Sequence, residues 1–365
     1  MRILFKRSYG VDIRLFADWQ TFAWYAALFA AVLAMPFVLD DYYLGEVTYV
    51  LIFSLAGLGL MLLVGHTGLV SLGHAAFLAT GAYMDVILIE RGVPFILALP
   101  LAGLFSGVVG AIIAIPVLRL TGIYLAIATM ALAIITEDII VLAEPVTGGV
   151  IGLTTPPIEI FGLEIDRYGT PKLFFYLCLA VVALVTLFYR NLLRSPTGRA
   201  FTAIRDSEVS ASSLGINVAV YKTLSFGISC FFTGLAGGLL AHYLGAFNHE
   251  TFLIITSILL LMMVVVGGMG SIHGAFFGAI VIGLLPPAIT ILREYFTALT
   301  GIRMTAIPGL DTGIFAVILV MFILFEPMGI YGRWLKIRTF FQIFPLYRKN
   351  MFRRQKTFLK TERMR

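Results

Sequence analysis

The chain has 365 residues, 60% of them hydrophobic and 13% charged, with a mean hydropathy of +0.98. Soluble globular domains carry roughly 25% charged residues, so that class is excluded. Recurrent apolar runs about as long as a bilayer is thick identify an all-α polytopic integral membrane protein, and the alternating ten-residue segments of a β-barrel do not dominate.

The net charge of +6 is clustered, with 20 of the 26 Lys and Arg in residues 1–20, 190–222 and 331–365. That is the positive-inside pattern of cytoplasmic segments and not a nucleic-acid footprint. It divides the chain into a basic cytoplasmic N-terminus (1–20), a transmembrane domain (21–330) interrupted by a wet loop (190–220), and a basic cytoplasmic tail (331–365). The tail carries a single acid, Glu362, and suits contact with membrane lipid.

Thr21 to Leu39 predicts a first anchor helix, too long and too far from the start for a signal peptide. Asp40, Asp41 and Glu46 then suit an outer loop, and Val47 to Val64 spans back. Gly65 to Met84 (GHTGLVSLGHAAFLATGAYM) is glycine-rich and polar for a span. It reads as interrupted or re-entrant helix, which is tolerated at membrane depth only where protein buries it or water lines it. Phe95 to Leu118 spans, Arg119, Thr121 and Gly122 turn the chain, and Ile123 to Ala143 spans again. Residues 144–171, with four acids, read as an outer loop holding short strands or a surface helix. Leu173 to Tyr189, Tyr221 to Tyr243, Phe252 to Val266, Gly267 to about Leu292 and Gly313 to Phe325 complete the set, with a polar loop at Arg293 to Asp311. The total is about ten transmembrane helices (range eight to eleven), and an even number puts both termini and the 190–220 loop on one, cytoplasmic side.

Two glycine turns echo one another, Val64-Gly65…Gly73-His74-Ala75-Ala76-Phe77 and Val266-Gly267…His273-Gly274-Ala275-Phe276. Paired glycine-broken segments point to a transport path in repeat-built transporters, which makes Gly65, Thr67, Gly68, Ser71, Gly73, His74, Gly267, Gly268, Gly270 and His273 candidate path residues; glycine turns at helix ends are the plain alternative. His66, His74 and His273 have no metal-ligand spacing and read as hydrogen-bonded turn residues, and no metal is expected at His242, His249 or Glu250 either. Glu137 and Asp138 fit the outer headgroup region. Cys178 and Cys230 read as small buried hydrophobes. No GxxxxGK[ST], HExxH or GxSxG occurs, so neither nucleotide hydrolysis nor another enzyme chemistry is expected of this chain.

Within 190–217, Ser195-Pro196 is a helix start and Gly215 a stop. A single helix of about five turns between them would place Ala200, Phe201, Ile204, Ala211 and Leu214 on one narrow face with Glu208 set in it, and Arg199, Thr202, Asp206, Ser210 and Ser213 opposite. Two alanines and an acid suit a protein groove better than lipid.

This helix resembles the coupling helix of ATP-binding-cassette importer permeases. SPTGRAFTAIRDSEVSASSLGINV is similar to their signature, an acid followed seven residues later by glycine, here Glu208 and Gly215. GHTGLVSLGHAAFLATGAY, LRLTGIYLAIATMALAIITE and FEPMGIYGRW are similar to blocks of the branched-chain amino-acid permease family, second membrane-subunit type. The resemblance covers residues 45–335. At the signature's usual acid-Ala-Ala opening stands Glu208-Val209-Ser210.

The resemblance implies a subunit of the bacterial inner membrane that partners a sister permease, two cytoplasmic ATP-binding subunits and a periplasmic solute-binding protein. ATP and Mg would be held by those partners and no cofactor by this chain. Arg199, Ile204, Arg205, Glu208 and Gly215 would couple to the ATPase. Leucine, isoleucine and valine are the family's substrates, with urea, short amides and other small solutes in some branches. A self-sufficient channel or ion-coupled carrier would need no ATPase, and a membrane enzyme or scaffold is a third class.

Overall fold

The computed structural model describes residues 19–343 apart from 121, 161, 301–308 and 327. The basic N-terminus to residue 18, Thr121 of the expected turn, and the tail beyond residue 343 therefore lie outside the described residues. The helices are α1 (Trp19–Val38), α2 (Asp41–Leu60, continued by a π-helical turn Met61–Thr67), α3 (His74–Glu90), α4 (Phe95–Val117), α5 (Ile123–Leu142), the single turn α6 (Glu144–Thr147), α7 (Pro171–Arg194), α8 (Pro196–Asp206), α9 (Glu208–Ser213), α10 (Val218–Leu244), α11 (Ile254–Gly267), α12 (Ile272–Thr300), α13 (Leu310–Phe325) and α14 (Gly329–Ile343).

Seven of these are long and apolar enough to cross a membrane: α2 with its π turn, α4, α5, α7, α10, α11 with the turn before it, and α12. α13 and α14, bent by 49° at their junction, make an eighth if they form one span. The expected count of about ten is therefore not reached by long helices alone among the described residues. α1 contributes a shorter apolar helix (Phe22–Val38), and α3, with 17 residues, is short because the chain from Gly68 to Gly73 is not helical. α12 also runs past its expected end near Leu292 to Thr300, since REYFTALT contains no glycine or proline to stop it.

α10 is the centre of the bundle and packs most extensively on α4, α3 and α2. Its small residues make this possible: a Cβ on Gly237 would fall on the Leu78 carbonyl oxygen, so α3 and α10 touch backbone to backbone. Ser106 of α4 lies in the same seam and donates to the carbonyl of Phe77 (3.1 Å) or Cys230 (3.0 Å). Cys178 and Cys230 are both free and buried.

α3 and α10 run parallel, with His74 beside Ser229 and Asp85 beside His242. Ser229 lies eleven residues into α10, about 16 Å at 1.5 Å per residue, so α3 begins well inside the bundle. The non-helical stretch Gly68 to Gly73 fills the missing depth, as an interrupted span requires.

The expected outer loop holds two small antiparallel ladders. β2 (Ile158–Ile160) pairs with β3 (Leu163–Ile165), and β1 (Leu153–Thr154) pairs with β4 (Ala246–Phe247), which follows α10. These ladders and the 195–217 segment lie at opposite ends of α7 and α10.

Candidate functional site

The wet segment is built as its caps dictate, with one correction. Ser195 caps α8 by accepting from the Gly198 N–H (3.3 Å), and Pro196 occupies the first turn. The expected continuous helix is broken at Ser207, whose extended backbone (φ −165°, ψ 114°) ends α8 and whose hydroxyl starts α9 by accepting from the Ser210 N–H (3.2 Å). Serine competes with the helix for its own backbone, so a second cap inside the segment divides it. Gly215 stops α9 with φ 85°, the Ile216 N–H bonding the Ala211 carbonyl and the Gly215 N–H that of Ser212, a Schellman motif.

The break also reassigns the faces. Ala200, Phe201, Ile204 and Ala211 are buried against the chain's own helices, so the apolar stripe expected to dock a partner, Ile204 included, is occupied from within. Arg199 lies outward, near the start of α8. Val209 and Leu214 are 82% and 80% exposed; the apolar surface open to a partner is on α9.

Glu208 forms an ion pair with Lys222 near the start of α10 (2.6 Å), a lysine whose side chain is only 5% exposed. Sequence reasoning missed this residue, although a lone cation in an apolar run is itself a signal that an acid must reach it. Arg205, three residues before Glu208 and so within reach of it on a continuous helix, is engaged elsewhere. Its Nη1 donates to the Gly65 carbonyl (2.9 Å), while Nε and Nη2 grip Asp206 (3.2 and 3.0 Å).

The two echoing glycine turns meet beneath this arginine. A Cβ on Gly65 would lie 2.6 Å from the Gly270 nitrogen, one on Gly68 (φ 77°) would lie 3.0 Å from Arg205 Cγ, and one on Gly270 (φ 81°) would lie 3.4 Å from Arg205 Nη1. The Gly270 N–H also points at the Met61 sulfur (3.2 Å). Gly267 packs on the backbone of Gly274, and Gly268 on Tyr331 and Gly329.

From there the chain climbs into the bundle through a closed network. His74 Nδ1 meets Ser71 Oγ (3.0 Å) and its Nε2 meets Ser229 Oγ (2.8 Å), while Ser229 donates to the Gly59 carbonyl (2.6 Å). Because the Ser229 proton is committed to Gly59, Nε2 carries an imidazole proton and donates to Ser229. The Ala75 N–H, in the first turn of α3, donates to Ser257 on α11 (2.8 Å), and the Leu72 N–H to Thr129 on α5 (3.0 Å). Thr67 turns its hydroxyl back to the Leu62 carbonyl. His273 bonds Tyr25 (2.7 Å) and stacks on Tyr331. The candidate path residues are thus not gathered at one point: Gly65, Gly68 and Gly270 pack under Arg205, Ser71 packs on His74, and Gly268 and His273 pack against Tyr331.

At the opposite end, Asp85 and His242 form a buried pair (2.9 Å), with Asp85 Oδ1 left without a hydrogen-bond partner. Asp85 was also passed over in the sequence, though an acid in GAYMDVILIE carries its own signal. Glu137 is half-buried and Asp138 exposed on α5. No three His, Cys, Asp or Glu residues among those described are grouped to hold a metal.

Residues 42–308 match the family model described as branched-chain amino acid transport system / permease component. The high-affinity branched-chain amino acid transport system permease protein LivM of Escherichia coli (strain K12) is 34% identical over 297 residues, 75% of this chain and 70% of that protein. The probable branched-chain amino acid transport permease protein LivH of Methanocaldococcus jannaschii is 26% identical over 301 residues, 80% and 93% of the two chains. The autoinducer 2 import system permease protein LsrC of Escherichia coli O9:H4 (strain HS) is 26% identical over 289 residues, 73% and 79%. No solved structure gives a significant match.

Proposed function

Because the chain belongs to the family of permease components of branched-chain amino acid transport systems, we propose that it is one membrane subunit of an ATP-driven importer of the inner membrane. In this reading it pairs with a sister permease and docks two ATP-binding subunits, which hold ATP and Mg. It receives a branched-chain amino acid, or a related small solute, from a periplasmic binding protein. Both termini and the 190–220 loop face the cytoplasm, in keeping with their basic charge. No covalent chemistry is assigned to the chain.

The observation that carries the proposal is the 195–217 segment. Its inner face is locked into the bundle by Phe201, Ile204, Arg205 and the Glu208–Lys222 pair, while Val209 and Leu214 stand out on α9 at the end of the molecule opposite the β ladders. Exposed apolar side chains on a short capped helix that is rigidly held fit a groove on an ATP-binding subunit. The solute path is proposed to pass the broken segments 65–74 and 267–273, where backbone leaves the helical ladder inside the bundle. The relative that imports autoinducer 2 keeps the solute class wider than amino acids.

The test is reconstitution of the chain in proteoliposomes with its sister permease, both ATP-binding subunits and the binding protein. ATP-dependent leucine uptake is the expected result. Val209→Asp with Leu214→Asp should release the ATP-binding subunits on co-purification and abolish uptake. Flux through vesicles holding this chain alone would overturn the proposal in favour of a channel or carrier.

A further inference from the structure

The segment proposed to meet the ATP-binding subunit touches the spans in several places, but one contact differs in kind. Phe201 and Ile204 fill apolar space, and Glu208 pairs with a lysine of α10, a regular helix. Arg205 instead reaches, by a side-chain hydrogen bond, backbone that is not regular helix. Its Nη1 bonds the carbonyl of Gly65 inside the π turn, its stem covers Gly68, and its guanidinium lies over Gly270 of the second break. Asp206 holds the other side of the fork.

Each feature suits a joint between the coupling segment and the spans. A π turn has a register one residue wider than the α-helix and marks functional sites. Gly65, Gly68 and Gly270 have no side chain to wedge the two breaks apart, and two of them adopt left-handed backbone. Beyond the joint, the chain runs through Ser71 and His74 into α3, which reaches Asp85 at the far end of the bundle.

We infer that Arg205 is a positioning residue that carries movement of the coupling segment into the paired glycine breaks, so that segment and breaks move as one body. This rests on the importer reading above and adds to it where force enters the spans. Arg205 itself faces inward and need not touch the ATP-binding subunit.

The test uses the complete reconstituted complex and the ratio of solute imported to ATP hydrolysed, a readout that simple loss of folded protein leaves unchanged. Loss of one charge-assisted hydrogen bond predicts that Arg205→Ala lowers this ratio by about tenfold, with the ATP-binding subunits still co-purifying. Arg205→Lys, which keeps one donor for Gly65 but not the fork, should fall between. A cross-link supplies the second arm. A Cβ on Gly68 would lie 3.6 Å from Arg205 Cβ, within the span of a disulfide. Gly68→Cys alone, strained at φ 77°, sets the baseline, and Gly68→Cys with Arg205→Cys should therefore fall below it in coupling when reduced and recover to it when oxidised.

Wild-type coupling in Arg205→Ala, or an oxidised cross-link that blocks transport the reduced form performs, would overturn the inference, the latter because segment and breaks would then move against each other. Failure of the importer reading looks different: the wild-type complex itself would show no ATP-dependent uptake.

Discussion

The Glu208–Lys222 pair makes an asymmetric prediction. Its partners lie 2.6 Å apart, but the Lys222 side chain is 5% exposed and that of Glu208 47%. Removing the acid strands an ammonium that water barely reaches, near the positive end of α10, where a cation is already disfavoured. Removing the lysine leaves a carboxylate that water can solvate. A fully buried broken pair costs about 3–5 kcal/mol; with Glu208 half in solvent, about 2–3 kcal/mol is expected for Glu208→Ala, and under about 1 kcal/mol for Lys222→Met. At 1.4 kcal/mol per tenfold, Glu208→Ala should weaken protection of the 208–216 amides roughly 30- to 140-fold and Lys222→Met less than about sixfold. Hydrogen exchange read by mass spectrometry on the purified protein measures both, and the double variant should resemble Lys222→Met. If Lys222→Met loosens α9 as much as Glu208→Ala, the buried cation is not what ties α9 down.

Two further outcomes test the bundle itself. Gly237→Ala places a methyl on the Leu78 carbonyl, where only backbone can yield; a loss of about 3 kcal/mol should appear as a lower melting temperature in detergent, and an unchanged melt would show that α3 and α10 are not in backbone contact. Asp85→Leu or His242→Leu alone should destabilise by about 3 kcal/mol and the double variant by less than either, with additive losses counting against the pair.

The sequence by itself determined the class, the family and the local starts and stops. Hydropathy and charge bias are summed along the chain, so they survive without any tertiary contact. Capping works the same way: Ser195-Pro196 and Gly215 act on backbone within four residues, and both ends fell where expected. The echo between Val64-Gly65 and Val266-Gly267 was legible as well, as a likeness between two stretches of chain.

Only the tertiary structure decided what faces what. Helical phase places Phe201 and Ile204 on one side but cannot say whether that side meets a partner or the chain's own spans; their burial answered it. Ser207 breaks the helix because its hydroxyl can cap a new turn, while Lys222 and Ala211 hold that turn in place, a combination no single window of sequence contains. The junction of Arg205 with Gly65, Gly68 and Gly270 joins three stretches separated by up to about 200 residues. Such a contact exists only once the bundle has closed, because a hydrogen bond 2.9 Å long carries no trace along the chain of the partner it will find.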